Sequence, residues 1–175
     1  LEEGVAVNPV LTFDERGHKK NRVQYYALGA EGEGTKPFGI YPVVEDFIGE
    51  GGSLAAPGAL YEGLTPQKAG IEIDGYEALG GIVYADKKIE TGESACWIIM
   101  MGIQESDNVE ADSVWMTSLQ QIYSRYASLN NLNQAYEQTK QTWRERVKAS
   151  YQSGNHEFDQ FMNWVSFQPI LRRIY

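Results

Sequence analysis

Few residues in this chain have the type and spacing that chemistry requires. The two histidines, His18 and His156, lie far apart, and neither belongs to a constellation of ligands. Metal sites gather three or four donors at short spacing, so both read as surface side chains and no metal is expected. The single cysteine, Cys96, excludes an intrachain disulfide and a zinc site built on paired cysteines. It sits in an apolar run, where a thiol packs as a small hydrophobe. No G-x-S-x-G pattern occurs, and Gly52-Ser53 alone does not make a nucleophile elbow. Acid-base chemistry at a glycosidic bond needs two opposed carboxyl groups. Glu45 and Asp46 are adjacent on an expected strand, so their side chains point to opposite faces. Glu31 and Glu33 lie in a glycine-rich turn and read as solvated. No catalytic residue is assigned.

Binding chemistry has more material. The loop Gly49-Glu50-Gly51-Gly52-Ser53 could offer backbone N–H groups to a phosphate or sugar oxygen, with Gly49, Gly51, Gly52 and Ser53 as the contacts. It lacks the lysine and the strand-loop-helix setting of a P-loop, and a plain turn between strands is the simpler reading. Arg172 and Arg173 could hold a phosphate or carboxylate through the guanidinium fork. They would serve equally as cations at a helix C-terminus. Tyr25, Tyr26, Tyr41, Tyr61 and Trp97 could stack on sugars, although aromatics at strand spacing more often belong to a core.

The elements that must position these residues divide sharply. The chain has 175 residues and a formal charge of −9, from 24 acids and 15 bases. Apolar residues make up 42%, enough for a core, so wholesale disorder is excluded. No window approaches a membrane-spanning length, and no secretory leader is visible, so a cytoplasmic location is expected. The acidic balance argues against nucleic acid and anionic membrane as partners. Seventeen of the 18 glycines and five of the six prolines lie in residues 1–104. The charge divides with them: residues 1–104 carry −8 and residues 105–175 carry −1. The composition shift marks a boundary between Ser106 and Asp112.

The first part reads as β. Val5–Phe13 and Arg22–Leu28 are expected strands around the turn Asp14–Gly17, with Val23, Tyr25 and Ala27 on one face. Pro37–Ile48 reads as extended, with Pro42 near an edge. Ile71–Asp74 alternates cleanly. Leu79–Ala85 and Ser94–Ile103 suggest a hairpin around Asp86–Glu93. Ser94–Ile103 is apolar on both faces, which predicts a buried central strand. The second part reads as helix. Trp115, Met116, Leu119, Ile122, Tyr123 and Tyr126 follow one helical stripe. Leu132, Tyr136, Trp143, Val147 and Tyr151 follow another, ended by Gly154-Asn155. A third run from Glu157 is apolar around most of its circumference, which predicts a helix enclosed by other elements and kinked at Pro169. It reaches Tyr175 with no glycine stop, and residue 1 is Leu, so the chain reads as a segment of a larger protein.

A family resemblance rests on four stretches in order. Asp46-Phe47-Ile48-Gly49-Glu50-Gly51-Gly52-Ser53-Leu54, followed by Pro57-Gly58-Ala59-Leu60, resembles a loop in the β-sandwich domain of glycoside hydrolase family 94. Asp74–Leu79 and Glu90–Glu93 resemble the end of that sandwich. Thr142-Trp143-Arg144-Glu145-Arg146 is similar to the linker-helix motif. Asn163-Trp164-Val165, with Gln168–Tyr175, resembles the first helix entering the catalytic (α/α)6 barrel. The resemblance covers residues 38–175 and is nearest to the 1,2-β-oligoglucan phosphorylase branch.

The resemblance implies an α+β chain. Residues 1–105 would form the C-terminal part of an antiparallel β-sandwich, 106–154 linker helices, and 155–175 the first helix of a truncated barrel. It also implies a parent enzyme in which inorganic phosphate, as co-substrate, attacks the anomeric carbon of a β-glucan with inversion. No other cofactor is implied. The acid and most phosphate ligands of the family lie in the barrel, so no catalytic position matches this sequence and the segment alone would be inactive. Expected partners are a β-glucan oligosaccharide, phosphate, the rest of the parent polypeptide and a second copy in a homodimer. The Gly49–Ser53 loop would then wall a substrate site. The alternative is a freestanding carbohydrate-binding or protein-interaction module.

Overall fold

A computed structural model describes residues 1–9, 23–105 and 112–172. The expected turn Asp14–Gly17, His18, the end of the first expected strand, residues 106–111 of the composition boundary and Arg173–Tyr175 lie outside the described residues. The fold is α+β with antiparallel sheets. The chain divides into two compact units, Leu1–Leu132 and Asn133–Tyr175.

The first unit contains β1 (Gly4–Val7), β2 (Val23–Glu31), β3 (Gly39–Val43), α1 (Val44–Ile48), α2 (Gly58–Tyr61), β4 (Ala78–Val83), β5 (Trp97–Glu105) and α3 (Asp112–Tyr126). A three-stranded sheet has the order β1-β2-β5, and a two-stranded sheet pairs β3 with β4. The core lies under the three-stranded sheet. Leu28 and Ala30 of β2, Ile98 and Met100 of β5, and Leu119 of α3 bury one another there, with Ala127 beside them. These positions follow from two periods meeting. Every second strand residue faces α3, and Trp115 and Leu119 stand one helical turn apart on the facing stripe. A polar relay closes one end of this layer: Gln104 Nε2 donates to Gln24 Oε1 at 2.6 Å, and Gln24 Nε2 donates to Asn8 Oδ1 at 2.8 Å. At the other end Lys36 pairs with Glu2 and Glu3, and Tyr123 donates its hydroxyl to the Gly34 carbonyl at 3.0 Å.

Several strand expectations are corrected. β5 is not a buried central strand. It is an edge strand paired only with β2 among the described residues, and β2 holds the centre. Met100 is 9% exposed whereas Met101, on the opposite face, is 77% exposed. Apolar residues on both faces show that each face can be buried. They do not show that this chain supplies both covers. α3 covers one face, while β3 and β4 pack over β1 and β2.

The expected hairpin of Leu79–Ala85 with Ser94–Ile103 does not form: β4 pairs with β3, and β5 with β2. Glycines select this partnering. A Cβ on Gly81 would stand 2.9 Å from Tyr41 Cβ, and one on Gly80 would stand 2.8 Å from Ala27 Cβ. The two bare positions let β4 lie close to β3 and to β2 at once. Pro42 falls where the β3–β4 register shifts, as its missing N–H requires.

Pro37–Ile48 is extended only as far as Val43, because α1 begins at Val44. Glu45 and Asp46 stand in its first turn, where the helix dipole favours acids, and Gly49 ends it at φ 69°. Successive helical residues do not face each other either, so these carboxylates still make no opposed pair. Ile71–Asp74 forms no strand and lies exposed. Gly70 and Gly75 bracket it with φ of 89° and 81°, which turns the chain at both ends before a partner is reached. Glu31 is not a solvated turn residue but the last residue of β2, paired with Lys87 Nζ at 2.6 Å. Glu33 is exposed as expected.

The second unit is helical. α4 (Leu129–Arg146) begins in the first unit and runs into the second, and α5 (His156–Leu171) follows. α4 stops before Tyr151, which the stripe had placed on it. Asn155 caps α5 by accepting from the Phe158 N–H at 3.1 Å, after Gly154 turns at φ 86°. α5 runs through Pro169 to Leu171 as one helix. It is not enclosed: none of its side chains is buried, and Phe161 is 60% exposed. The sequence places apolar groups all round this helix, but among the described residues of this unit only α4 and the 147–155 connection are present to meet them.

Candidate functional site

The glycine loop expected to offer amides spends three of them on its own surroundings. Gly49 N–H donates to Glu45 O at 3.0 Å, Gly52 N–H to Gly49 O at 3.3 Å, and Ser53 N–H to Ala56 O at 3.3 Å. Ser53 Oγ accepts from the Ala56 N–H. The loop joins two short helices, α1 and α2, and not two strands. Its shape depends on glycine at two positions for different reasons. A Cβ on Gly52 would fall 1.9 Å from the Ile48 carbonyl oxygen, whereas Gly51 needs its φ of 74° and has open space around it.

Behind this loop lies a hollow of about 700 Å³, lined by Phe38, Tyr41, Phe47, Leu60, Leu64 and Tyr84 among others. Gly49 and Gly58 both approach the Leu64 methyl that forms part of its wall. Tyr41 donates its hydroxyl to the Leu64 carbonyl and meets Phe47 edge-on at 5.5 Å. Burial, with Asp46 nearby, holds the Tyr41 hydroxyl above the usual tyrosine range. Asp46 itself accepts from Gln67 Nε2 at 3.3 Å. Apolar walls and an acidic neighbour favour the face of a neutral molecule over an anion. None of residues 49–53 lines this hollow; the loop meets it only through Leu64.

Arg172 lies in the other unit. Its backbone N–H closes α5 onto the Gln168 and Ile170 carbonyls, and its side chain stands exposed at the helix C-terminus. That is the position the dipole favours for a cation. The glycine loop and Arg172 therefore belong to different units. His156 is exposed, with a ring nitrogen 2.9 Å from Gln160 Nε2. Cys96 is half-buried beside the core of the first unit. Among the described residues no group of three or more potential ligands could hold a metal ion.

A hollow that residue patterns did not single out lies within the second unit. It measures about 600 Å³ and is lined by Trp143, Arg144, Val147, Asn163, Trp164 and Phe167 among others. Trp143 meets Phe167 edge-on at 5.1 Å, and the Arg146 guanidinium stands 5.0 Å from the Trp143 ring centre. Trp164 is 57% exposed. An indole face beside a guanidinium and a carboxamide offers stacking and hydrogen bonds together, which is what a sugar ring uses. The signal was present in the sequence. Thr142–Arg146 and Asn163–Val165 are two of the four stretches that carry the family resemblance, and the turn at Gly154 brings them to one hollow.

No model of a known protein family matches the chain, and no curated protein sequence matches it. Among the described residues no helix is long and apolar enough to cross a membrane.

Proposed function

We propose that this chain is a non-catalytic segment of an inverting β-glucan phosphorylase, which transfers a glucosyl unit to inorganic phosphate. The observation that carries the reading is the order of the resembling stretches on the elements. Asp46–Leu54 and Asp74–Leu79 lie in the antiparallel unit, and Thr142–Arg146 and Asn163–Val165 lie in the helical unit. On this reading the strands are the end of a β-sandwich, α3 and α4 are linker helices, and α5 is the first helix of an (α/α)6 barrel. The uncovered apolar surface of α5 supports it, since a barrel helix is enclosed by its neighbours.

The chemistry then belongs to the barrel. Phosphate replaces the activated water of an inverting hydrolase, and a carboxylic acid protonates the leaving oxygen. The phosphate site must be positive and rich in donors, unlike the hollow beside Asp46. The segment contributes walls and spacing. The parent enzyme is cytoplasmic and homodimeric on this reading, with no cofactor beyond its phosphate co-substrate. The test is phosphorolysis by the parent polypeptide with a panel of β-1,2-, β-1,3- and β-1,4-glucans. Sugar phosphate is the expected product, and glucan cleavage that ignores phosphate would refute the reading.

The hollow of the second unit favours a second reading, a carbohydrate-binding module. Titration of the chain with the same glucans would quench Trp143 and Trp164 fluorescence, and Trp164→Ala would abolish the response. An unchanged emission spectrum at millimolar glucan would exclude it.

A further inference from the structure

Residues 68–78 are exposed throughout and form no helix or strand before β4 begins at Ala78. This run holds the chain's one Asp-Gly pair, Asp74-Gly75, and the sequence has no Asn-Gly. The Asp74 carboxylate makes no hydrogen bond or ion pair among the described residues, and the Gly75 N–H donates to none of them. Gly75 turns at φ 81°, and a Cβ built on it would meet nothing within 4 Å. The peptide that joins the two residues is therefore in water, unbonded and unobstructed. Other aspartates are held. Asp46 lies in α1 and accepts from Gln67 Nε2 at 3.3 Å, and Asp159 lies in α5 and accepts from the Ser153 N–H at 2.8 Å. Asp86 is exposed, but the residue after it is Lys87, whose side chain is anchored on Glu31 at 2.6 Å.

We infer that Asp74-Gly75 is a self-modification site, where the folded chain closes a succinimide and reopens it as an isoaspartyl linkage. The backbone nitrogen of Gly75 attacks Cγ of the protonated Asp74 carboxyl. The N–Cγ bond forms, the Cγ–OH bond breaks, and the hydroxyl leaves as water with the amide proton. Water then adds to one of the two imide carbonyls. Breaking the bond from nitrogen to Cγ restores aspartate. Breaking the bond from nitrogen to the main-chain carbonyl carbon leaves the chain running through Cγ. Only water leaves and enters, so no oxidant, reductant or further group takes part. Glycine is what permits the step, because a side chain on the following residue would crowd the attacking nitrogen. The isomer keeps one carboxylate but lengthens the backbone by one carbon. That carbon enters just before the chain is fixed again. The Glu77 carbonyl accepts from the Val44 N–H at 2.9 Å, and Ala78 pairs with Val43. The change is therefore felt at the start of α1, the helix that leads into the glycine loop.

This inference does not depend on the phosphorylase reading. Its test is incubation of the intact chain in warm neutral buffer, with samples taken over weeks for peptide mapping. The peptide bearing Asp74 should split into two chromatographic peaks of equal mass, with a minor species lighter by one water. Isoaspartyl methyltransferase should label the new peak. Asp74→Glu, whose longer side chain would have to close a six-membered ring, should abolish that peak. The substituted side chain is exposed, so circular dichroism of this variant should match the parent. Peptides bearing Asp46, Asp86 and Asp159 should stay single. The urea-unfolded chain should convert at Asp74 at about the rate of the folded chain, because the fold gives this peptide no protection. Hydrogen exchange at the Val44 N–H should be faster in the isomerised fraction, and unchanged exchange there would refute the coupling to α1. An Asp74 peptide that splits only after unfolding, a new peak that survives Asp74→Glu, or equal splitting at Asp86 would each overturn the inference.

Discussion

Apolar stripes run through both units of this chain, but only the first converts them into a core. In the antiparallel unit, Leu28 and Leu119 are 1% exposed and pack against each other's neighbours across the strand-helix layer. In the helical unit, α5 carries Phe158, Phe161, Trp164 and Val165, and all four remain exposed. The difference is not hydrophobicity. Mean hydropathy along α5 is no obstacle to burial, since its composition is the richer in large apolar groups. The difference is the number of partners. β2 has a strand on each side, α3 beneath and β4 above. Among the described residues of its own unit, α5 has α4 and a short connection. Periodicity identifies a face that seeks cover, and the rest of the molecule decides whether cover arrives.

The largest effect that would break this comparison is a cavity. Leu119→Ala should cost the first unit about 3 kcal/mol in urea unfolding, because the emptied volume lies between α3 and the sheet. Phe161→Ala should change stability by less than about 0.5 kcal/mol, as for exposed sites. Equal losses at the two positions would mean that α5 is as well packed as the sheet layer.

A second contrast concerns glycine and is smaller. Gly52→Ala forces a Cβ against the Ile48 carbonyl and should cost about 2 kcal/mol. Gly154→Ala meets no neighbour, and only its φ of 86° opposes the change, at about 1 kcal/mol. Thermal unfolding of the two variants would sharpen the comparison by separating steric from conformational cost.

The smallest effect is a pH response confined to the first unit. Burial raises the hydroxyls of Tyr84 and Tyr123, which donate to the Ile98 and Gly34 carbonyls. A raised tyrosine stabilises the fold fully below the ordinary value of about 10, and that contribution fades as pH climbs through the raised value. Absorbance at 295 nm should show these two phenols ionising late, and stability of the first unit should fall at the same pH. Tyr84→Phe should flatten part of that fall. Phenol ionisation that leaves the stability of this unit unchanged would contradict the assignment.

The sequence was most readable where contacts are local. The stripe Trp115–Tyr126 is α3, and Gly154-Asn155 does separate two helices, because capping and periodicity act over a few residues. It was least readable where partners are distant. Nothing near β5 in the sequence says that its second face goes uncovered. Gly80 and Gly81 lie in the expected strand Leu79–Ala85, but nothing beside them names their partners, which are Ala27 and Tyr41. α1 follows Pro42 so closely that five helical residues vanish into an extended run. The hollow of the second unit escaped for the same reason, since Trp143 and Asn163 are neighbours only after the chain has turned.

The central place of β2 also sets an order of events. Its partner β1 precedes it, but β5 follows more than sixty residues later, at Trp97 opposite Glu31. Closing a loop of that length is an entropic barrier, and such non-local pairings form slowly. A nascent chain emerging from the ribosome therefore exposes β2 with one side unzipped until Glu105 has been made. The α4–α5 pair needs no such wait, because its residues meet across one short connection. Synthesis thus delivers a quick helical pair behind a sheet that closes late.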